Sequence, residues 1–320
     1  MFKFNKYTKF FLGIAIIGIV IFFVLDAVHF QLDQFSELRF SFSQKYIYWL
    51  IISLFFIMTS LVISAVGWVW IVNILNNDYV SYPLGIKVFF YSQLGRYIPG
   101  KIWTFIGRFI LCKNNNISKS VITESIIYEI GMSFFAASII SGFILILNNT
   151  LHYTAQWLCY GIITICIFSV LSLKFFPNLL NWFSLKTGKK TIKTEISYKI
   201  LLFYFFLNIL LWFFMGYGIY FLARSVIFIP FNISVVFPGF FCIAWLGGFL
   251  SFLTPSGIGV REGILVYFLS QFISPSNAII VSVFSRILLT LAEFLCLFIA
   301  LGISGLMPVI KKRWLSKIKT

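Results

Sequence analysis

The sequence predicts an all-α integral membrane protein with about six full transmembrane helices and two broken, re-entrant hairpins arranged as an inverted repeat. Three observations carry this. First, 60% of the 320 residues are hydrophobic and 11% charged, with a mean hydropathy of +0.98, far from the composition of a soluble globular domain. Second, two long apolar stretches are each interrupted near the middle by proline, glycine and charge. Third, basic residues gather in a few short connecting segments.

A helix needs about 20 apolar residues to cross a bilayer, and six stretches meet that length: 10–28, 46–75, 121–147, 157–173, 199–222 and 278–308. The first follows Lys3, Lys6 and Lys9 as a signal peptide would. It has no small-residue cleavage site, so it reads as a retained helix. The stretches 84–110, broken by "GRYIPGK", and 237–273, broken by "TPSGIGVREG", do not fit as simple spans.

Orientation follows the lysines and arginines of short loops. Residues 1–9 hold three lysines, 174–199 hold six against one glutamate, and 309–320 hold five basic residues and no acid. These belong on the cytoplasmic side, and with them both termini. Segments 26–45, 148–156 and 223–236 carry little positive charge and belong outside. All three basic segments stay inside only if 84–110 dips in and returns. Each limb of about 10–12 residues then covers about half of a ~30 Å core. The same parity makes 237–273 begin and end outside, and its longer limbs leave its depth open, from a deeper dip to a near-span.

The two halves, approximately 46–147 and 199–308, therefore present one series in opposite orientations, joined through the cytoplasmic loop 174–199 within a single polytopic domain, 1–320. Spacing agrees. Pro99 lies 53 residues after Tyr46 and 22 before Val121, and Pro255 lies 57 after Tyr198 and 23 before Ala278. Paired broken helices in inverted repeats mark transporters, whose site lies where the breaks meet near mid-membrane.

Charge inside an apolar segment is costly, roughly 2.5–3.5 kcal/mol for each group facing lipid. The few such groups should therefore face protein, water or one another. In the first hairpin they are Arg96, Lys101 and Arg108, and in the second Arg261 and Glu262. Glu124, Glu129, Arg286 and Glu293 lie on the spans that follow. Breaks at Gly95, Pro99 and Gly100, and at Pro255, Gly257 and Gly259, free backbone groups that a membrane tolerates only where protein or a wet cavity satisfies them. With Arg96, Lys101 and Arg261 beside them, the freed amides make a site for a phosphate headgroup. The other reading is that these cations snorkel or pair with acids. Arg286 either contacts substrate or pairs with an acid across the repeat interface. Glu124, Glu129, Glu262 and Glu293 balance charge or couple protons. Glu262 directly follows Arg261, so on a helix the two point about 100° apart and serve different partners.

Several functions are disfavoured. A net charge of +16 would suggest nucleic acid in a soluble protein, but here membrane topology and anionic lipid account for it. Five cysteines, at 112, 159, 166, 242 and 296, lack metal-ligand spacing. His29 and His152 fall in loops, no paired aspartates lie at membrane depth, and the glycine run has no P-loop lysine. Neither a metal, a cofactor nor catalysis is expected. Trp68, Trp70, Trp103 and Trp245 read as helix anchors or packing residues.

"GRYIPGKIW" and "TPSGIGVREG" together resemble the paired motifs of the flippase-like transmembrane family, which includes the membrane region of lysylphosphatidylglycerol synthases and related proteins associated with glycosyltransfer. The resemblance spans about 10–308, with Pro255-Ser256-Gly257 where the family more often has Pro-Gly-Gly. It implies movement of a charged or phosphorylated lipid between leaflets of the bacterial cytoplasmic membrane. The alternative is a non-transporting role beside a glycosyltransferase or other envelope enzyme. Gly95, Arg96, Pro99, Gly100, Lys101, Pro255, Gly257, Gly259, Arg261 and Glu262 carry over, as do Glu124 and Arg286. The synthases proper also hold a large soluble aminoacyl-transfer domain. With twelve residues after Pro308, aminoacylation by this chain is not expected.

Overall fold

The computed structural model describes residues 47–76, 78–97, 103–112, 117–147, 196–251 and 259–318, with side chains for all of these but 147 and 304–318. Among the described residues there are eight α-helices and no strand. The first four are α1 (Ile47–Leu75), α2 (Tyr82–Gln93), α3 (Trp103–Cys112) and α4 (Lys119–Leu147). The last four are α5 (Tyr198–Val226), α6 (Phe237–Leu250), α7 (Val260–Leu269) and α8 (Pro275–Ile318). The expected spans 10–28 and 157–173, and the loop 174–199 up to residue 195, lie outside the described residues.

The helix α1 carries no charged residue in its 29 positions, which suits a segment surrounded by lipid and protein. It ends where Asn73 turns the chain. The Asn73 side chain accepts from the Val80 N–H at 2.7 Å and donates to the Val80 carbonyl at 3.0 Å, and Pro83 then sits in the first turn of α2, where its missing N–H does no harm. The limbs α2 and α3, 12 and 10 residues long, pack on each other. At 1.5 Å per residue they extend about 18 and 15 Å, half of a ~30 Å hydrocarbon core.

At the second break, the depth that the sequence leaves open is taken up by a longer limb. A 3₁₀ turn over Phe231–Val236 runs straight into α6, and together they form a 20-residue apolar stretch, Phe231–Leu250, long enough to cross a membrane. Five described helical segments reach that length: this one, α1, the α4 segment Lys119–Ile146, α5 and the α8 segment Pro275–Ile303. Helix α8 contains the last expected span and runs on past it. The expected span stops at 308, whereas the helix continues through Pro308 to Ile318. A proline removes one backbone hydrogen bond but does not by itself end a helix whose other bonds persist.

The packing has an internal order. The most extensive contact joins α1 to α5, the first long helices of the two halves. There Ser53 donates to the Gly218 carbonyl at 2.6 Å. Helix α4 packs on α6 of the other half, and α8 packs on α2. Exchanging the first four helices for the last four maps each substantial helix–helix packing onto another in the set: α1·α2 onto α5·α6, α2·α3 onto α6·α7, α3·α4 onto α7·α8, α4·α5 onto α8·α1, and α1·α4 onto α5·α8. The larger apolar core lies around α1, α4, α5 and α6, with a smaller one under α2 and α3.

Candidate functional site

The first hairpin closes tightly at Gly95. A Cβ there would fall 2.5 Å from the Trp103 carbonyl carbon and 2.6 Å from the Thr104 nitrogen, so no side chain fits where the limbs meet. The closure presents the next two residues to the opposite half. Arg96 places Nη1 on Glu293 of α8 and Nη2 on Gln93 Oε1 at 2.6 Å, while Tyr97 donates its hydroxyl to the other Glu293 oxygen at 2.8 Å. The Tyr97 ring stacks on Phe294, with centroids 6.1 Å apart. Glu293 is 4% exposed and the Arg96 side chain 37%.

One cation absent from the expected site lies deeper. Arg108 of α3 is 1% exposed and forks onto both oxygens of Glu129 in α4, with Nη2 to Oε1 at 3.1 Å. Its Nε donates to Ser92 Oγ at 3.2 Å. The guanidinium carbon also lies 4.7 Å from the ring centroids of both Trp68 and Phe89, a cation–π arrangement. Trp68, expected to pack helices, is held by its own donation to Ser125 Oγ at 3.1 Å. The cue was an arginine within an apolar limb, which must find an acid; the sequence does not say which.

The second hairpin repeats this device with the charges exchanged. Gly259, the N-cap immediately before α7, has φ 86°, a conformation that favours glycine. Its N–H donates to Glu262 Oε2 at 2.8 Å. The other Glu262 oxygen accepts from Arg286 of α8 at 2.8 Å, and Ser282 donates to the Glu262 backbone carbonyl at 3.2 Å. In the first half the hairpin supplies the cation and the next long helix the acid; in the second half these roles are reversed. Arg286 thus pairs within its own half, while Arg96–Glu293 joins the halves.

Arg261 differs from the other three. It is 9% exposed, has no ion pair among the described residues, and lays its guanidinium carbon 4.6 Å from the Phe241 ring centroid. Its Nη2 has no hydrogen-bond partner. The α6 backbone crosses closely behind it, leaving 3.0 Å between a Cβ at Gly248 and the Arg261 Cβ.

Arg261 borders a cavity of about 450 Å³. Both halves build it: Ser60 and Ser64 of α1, Gln93 and Arg96 of the first hairpin, Glu129 and Ser133 of α4, and Trp212, Phe241 and Trp245 from α5 and α6. The acids at its edge are engaged, Glu129 by Arg108 and neighbouring Glu293 by Arg96 and Tyr97. Trp245, beyond packing edge-on to Trp212 at 4.9 Å, faces this space. Glu124 is buried on α4 without an ion pair to a described residue and is not among the cavity's lining residues. Lys101, Pro99, Gly100, Pro255 and Gly257 lie outside the described residues. Among the described residues no group of three His, Cys, Asp or Glu could hold a metal.

Span-length apolar helices, ion pairs that tie the broken helices to long ones, and a cavity lined by both halves define a multi-pass α-helical membrane protein. The chain matches the family described as "Lysylphosphatidylglycerol synthase TM region" over residues 10–296, and it belongs to that family. No curated protein is significantly similar to the chain.

Proposed function

We propose that the chain is a transporter, and not an enzyme, that moves a phosphate-bearing lipid across the bacterial cytoplasmic membrane. The lipid is a phospholipid or a polyprenyl-phosphate-linked lipid, and both termini lie in the cytoplasm. The observation that carries the reading is Arg261, a buried guanidinium without an ion pair among the described residues, at the edge of a cavity shared by both halves. A buried charge left unpaired is strongly destabilising, by several kcal/mol. A phosphate oxygen supplies the missing partner through charge-assisted, planar hydrogen bonds.

The headgroup occupies the cavity while the tail stays in the bilayer. The matching packing of the two halves suits an inverted repeat in which one half rocks against the other, opening the site to each leaflet in turn. Arg96–Glu293 is then a contact between the moving parts, whereas Arg108–Glu129 and Arg286–Glu262 hold each hairpin to its own half.

Reconstitution into liposomes carrying fluorescent phospholipids or polyprenyl phosphates tests this. Protein-dependent movement of at least one of them, lost in Arg261→Gln, is expected. If no lipid moves, or if Arg261→Gln moves it as well as the parent, the reading fails. Loss of an associated glycosyltransferase's activity on deleting a chain that moves no lipid would place it as a non-transporting partner of that enzyme.

A further inference from the structure

The ion pair that joins the two halves has no counterpart among the described residues of the second hairpin. Helices α1 and α5 lie antiparallel: Trp49 stacks on Phe221 at 5.5 Å near one end, and Trp70 meets Phe203 at 5.1 Å near the other. Each leads into the first limb of a hairpin, so α2 and α6 start from opposite ends of the bundle. The cavity lies between them at mid-depth. Ser60 and Ser64 of α1, Ser133 of α4 and Trp212 of α5 line it, all close to the midpoints, 61, 133 and 212, of their 29-residue helices.

Toward the first hairpin's end, charge crosses the way out of the cavity. Arg96 lines the cavity, and Glu293 lies about one helical turn beyond Leu289, another lining residue. That stretch of α8 continues to Leu297 and Ala300, which pack with Val88 and Cys112 of the first hairpin. The pair therefore stands between the cavity and that end, with Tyr97 bonded to the second Glu293 oxygen and stacked on Phe294.

The second hairpin cannot repeat this crossing. Its first limb and tip, 237–258, contain no charged residue, and neither does α4 after Glu129. Glu129 and Arg286 hold corresponding places, each pairing with the second limb of its own hairpin. Seven residues past Arg286 stands Glu293; seven past Glu129 stands Ala136, fully buried. Helix α6 meets α4 through apolar groups instead, with the Phe249 ring 6.4 Å from Phe134 and Gly239 so near Ile144 that a Cβ would fall 2.5 Å from it. In a bilayer, exchanging an apolar contact for lipid changes little, because lipid tails are as apolar as leucine. Parting a buried ion pair strands charge.

We propose that Arg96, Tyr97 and Glu293 form a latch that closes the cavity toward the first hairpin's end, so that the chain rests shut there and opens more readily past the second hairpin. The inference rests on the movement of the halves proposed above.

The test uses the full chain with its five cysteines replaced by alanine and Ser133→Cys introduced in the cavity, in membrane vesicles of either orientation. A membrane-impermeant thiol reagent is applied from outside the vesicles. Asp78→Cys, at an exposed position between α1 and α2, identifies the first-hairpin face in a separate chain. Glu293→Gln should raise labelling of position 133 from that face about tenfold or more, equivalent to about 1.4 kcal/mol in the opening equilibrium, with no rise from the opposite face. Arg286→Gln, which breaks a pair within the second half, should leave the first-hairpin face as it was. An unchanged rate in Glu293→Gln, an equal rise from both faces, or the same effect from Arg286→Gln overturns the proposal. Hydrogen exchange of the chain with its own cysteines, in nanodiscs, decides the matter even if the cysteine-free chain does not fold. There Glu293→Gln should speed exchange of the amides of 94–97 and leave those of 260–263 unchanged, and no acceleration, or equal acceleration at both hairpins, refutes the latch. One-sided opening without lipid movement in liposomes leaves the latch standing and removes the transport reading; lipid movement without one-sided opening does the reverse.

Discussion

The two partners of the pair that joins the halves differ in burial, so removing each should have a different cost. Glu293 is 4% exposed, while the Arg96 side chain is 37% exposed and holds a second bond to Gln93 at 2.6 Å. Arg96→Met keeps the aliphatic stem but strands a buried carboxylate with only the Tyr97 hydroxyl for company. Breaking a buried pair in this way costs about 3–5 kcal/mol. Glu293→Gln preserves shape and an acceptor for Tyr97, and leaves an arginine that still has Gln93 and access to the cavity. Its cost should be nearer 1 kcal/mol, the range of a partly exposed pair. The double variant should be more stable than Arg96→Met alone, because the stranded charge has gone. Unfolding of the full chain in mixed micelles, titrated with a denaturing detergent, gives the three differences. If Glu293→Gln costs as much as Arg96→Met, the burial argument is wrong.

Two further substitutions probe the packing by the same assay. At Gly216 an added Cβ would fall 2.2 Å from the Pro238 Cα, backbone against backbone, whereas at Gly302 it would meet nothing within 4 Å; Gly216→Ala should therefore cost about 1–3 kcal/mol or more while Gly302→Ala stays within about 0.5 kcal/mol. Gly259 also has open space around a Cβ but φ 86°, so Gly259→Ala should cost about 1–3 kcal/mol from backbone strain alone, and a neutral result would refute that conformation.

Helix class and the position of both breaks were legible in the sequence because the bilayer sets segment lengths and penalises charge, and both constraints act locally. The matching of charges was not. Arg96 and Glu293 are 197 residues apart, and helical phase relates residues only within one helix. Arg286 and Glu293 share a face of α8, yet each answers a different hairpin, Glu262 of its own half and Arg96 of the other. Arg108 stood in plain view as a charge in an apolar limb, but only tertiary packing reveals that it and Glu262 play corresponding parts with opposite sign. The depth of the limb beginning at 237 was left open by the sequence, and local structure decides it. Phe231–Val236 fell within the weakly charged outer segment 223–236, and it winds as a 3₁₀ turn directly into α6 and lengthens that limb to 20 residues.

Because Arg108–Glu129 and Arg286–Glu262 each lie within one half, each would travel as an electrically neutral unit in the proposed displacement of one half against the other. A membrane potential does about 2.3 kcal/mol of work per elementary charge carried through 100 mV, and on these four side chains together that work cancels. Among the described residues of the hairpins and the cavity, voltage would then act mainly through the charges not matched within a half: Arg96 and Glu293, which part company if the halves separate, Glu124, and Arg261, whose charge the proposed phosphate would offset.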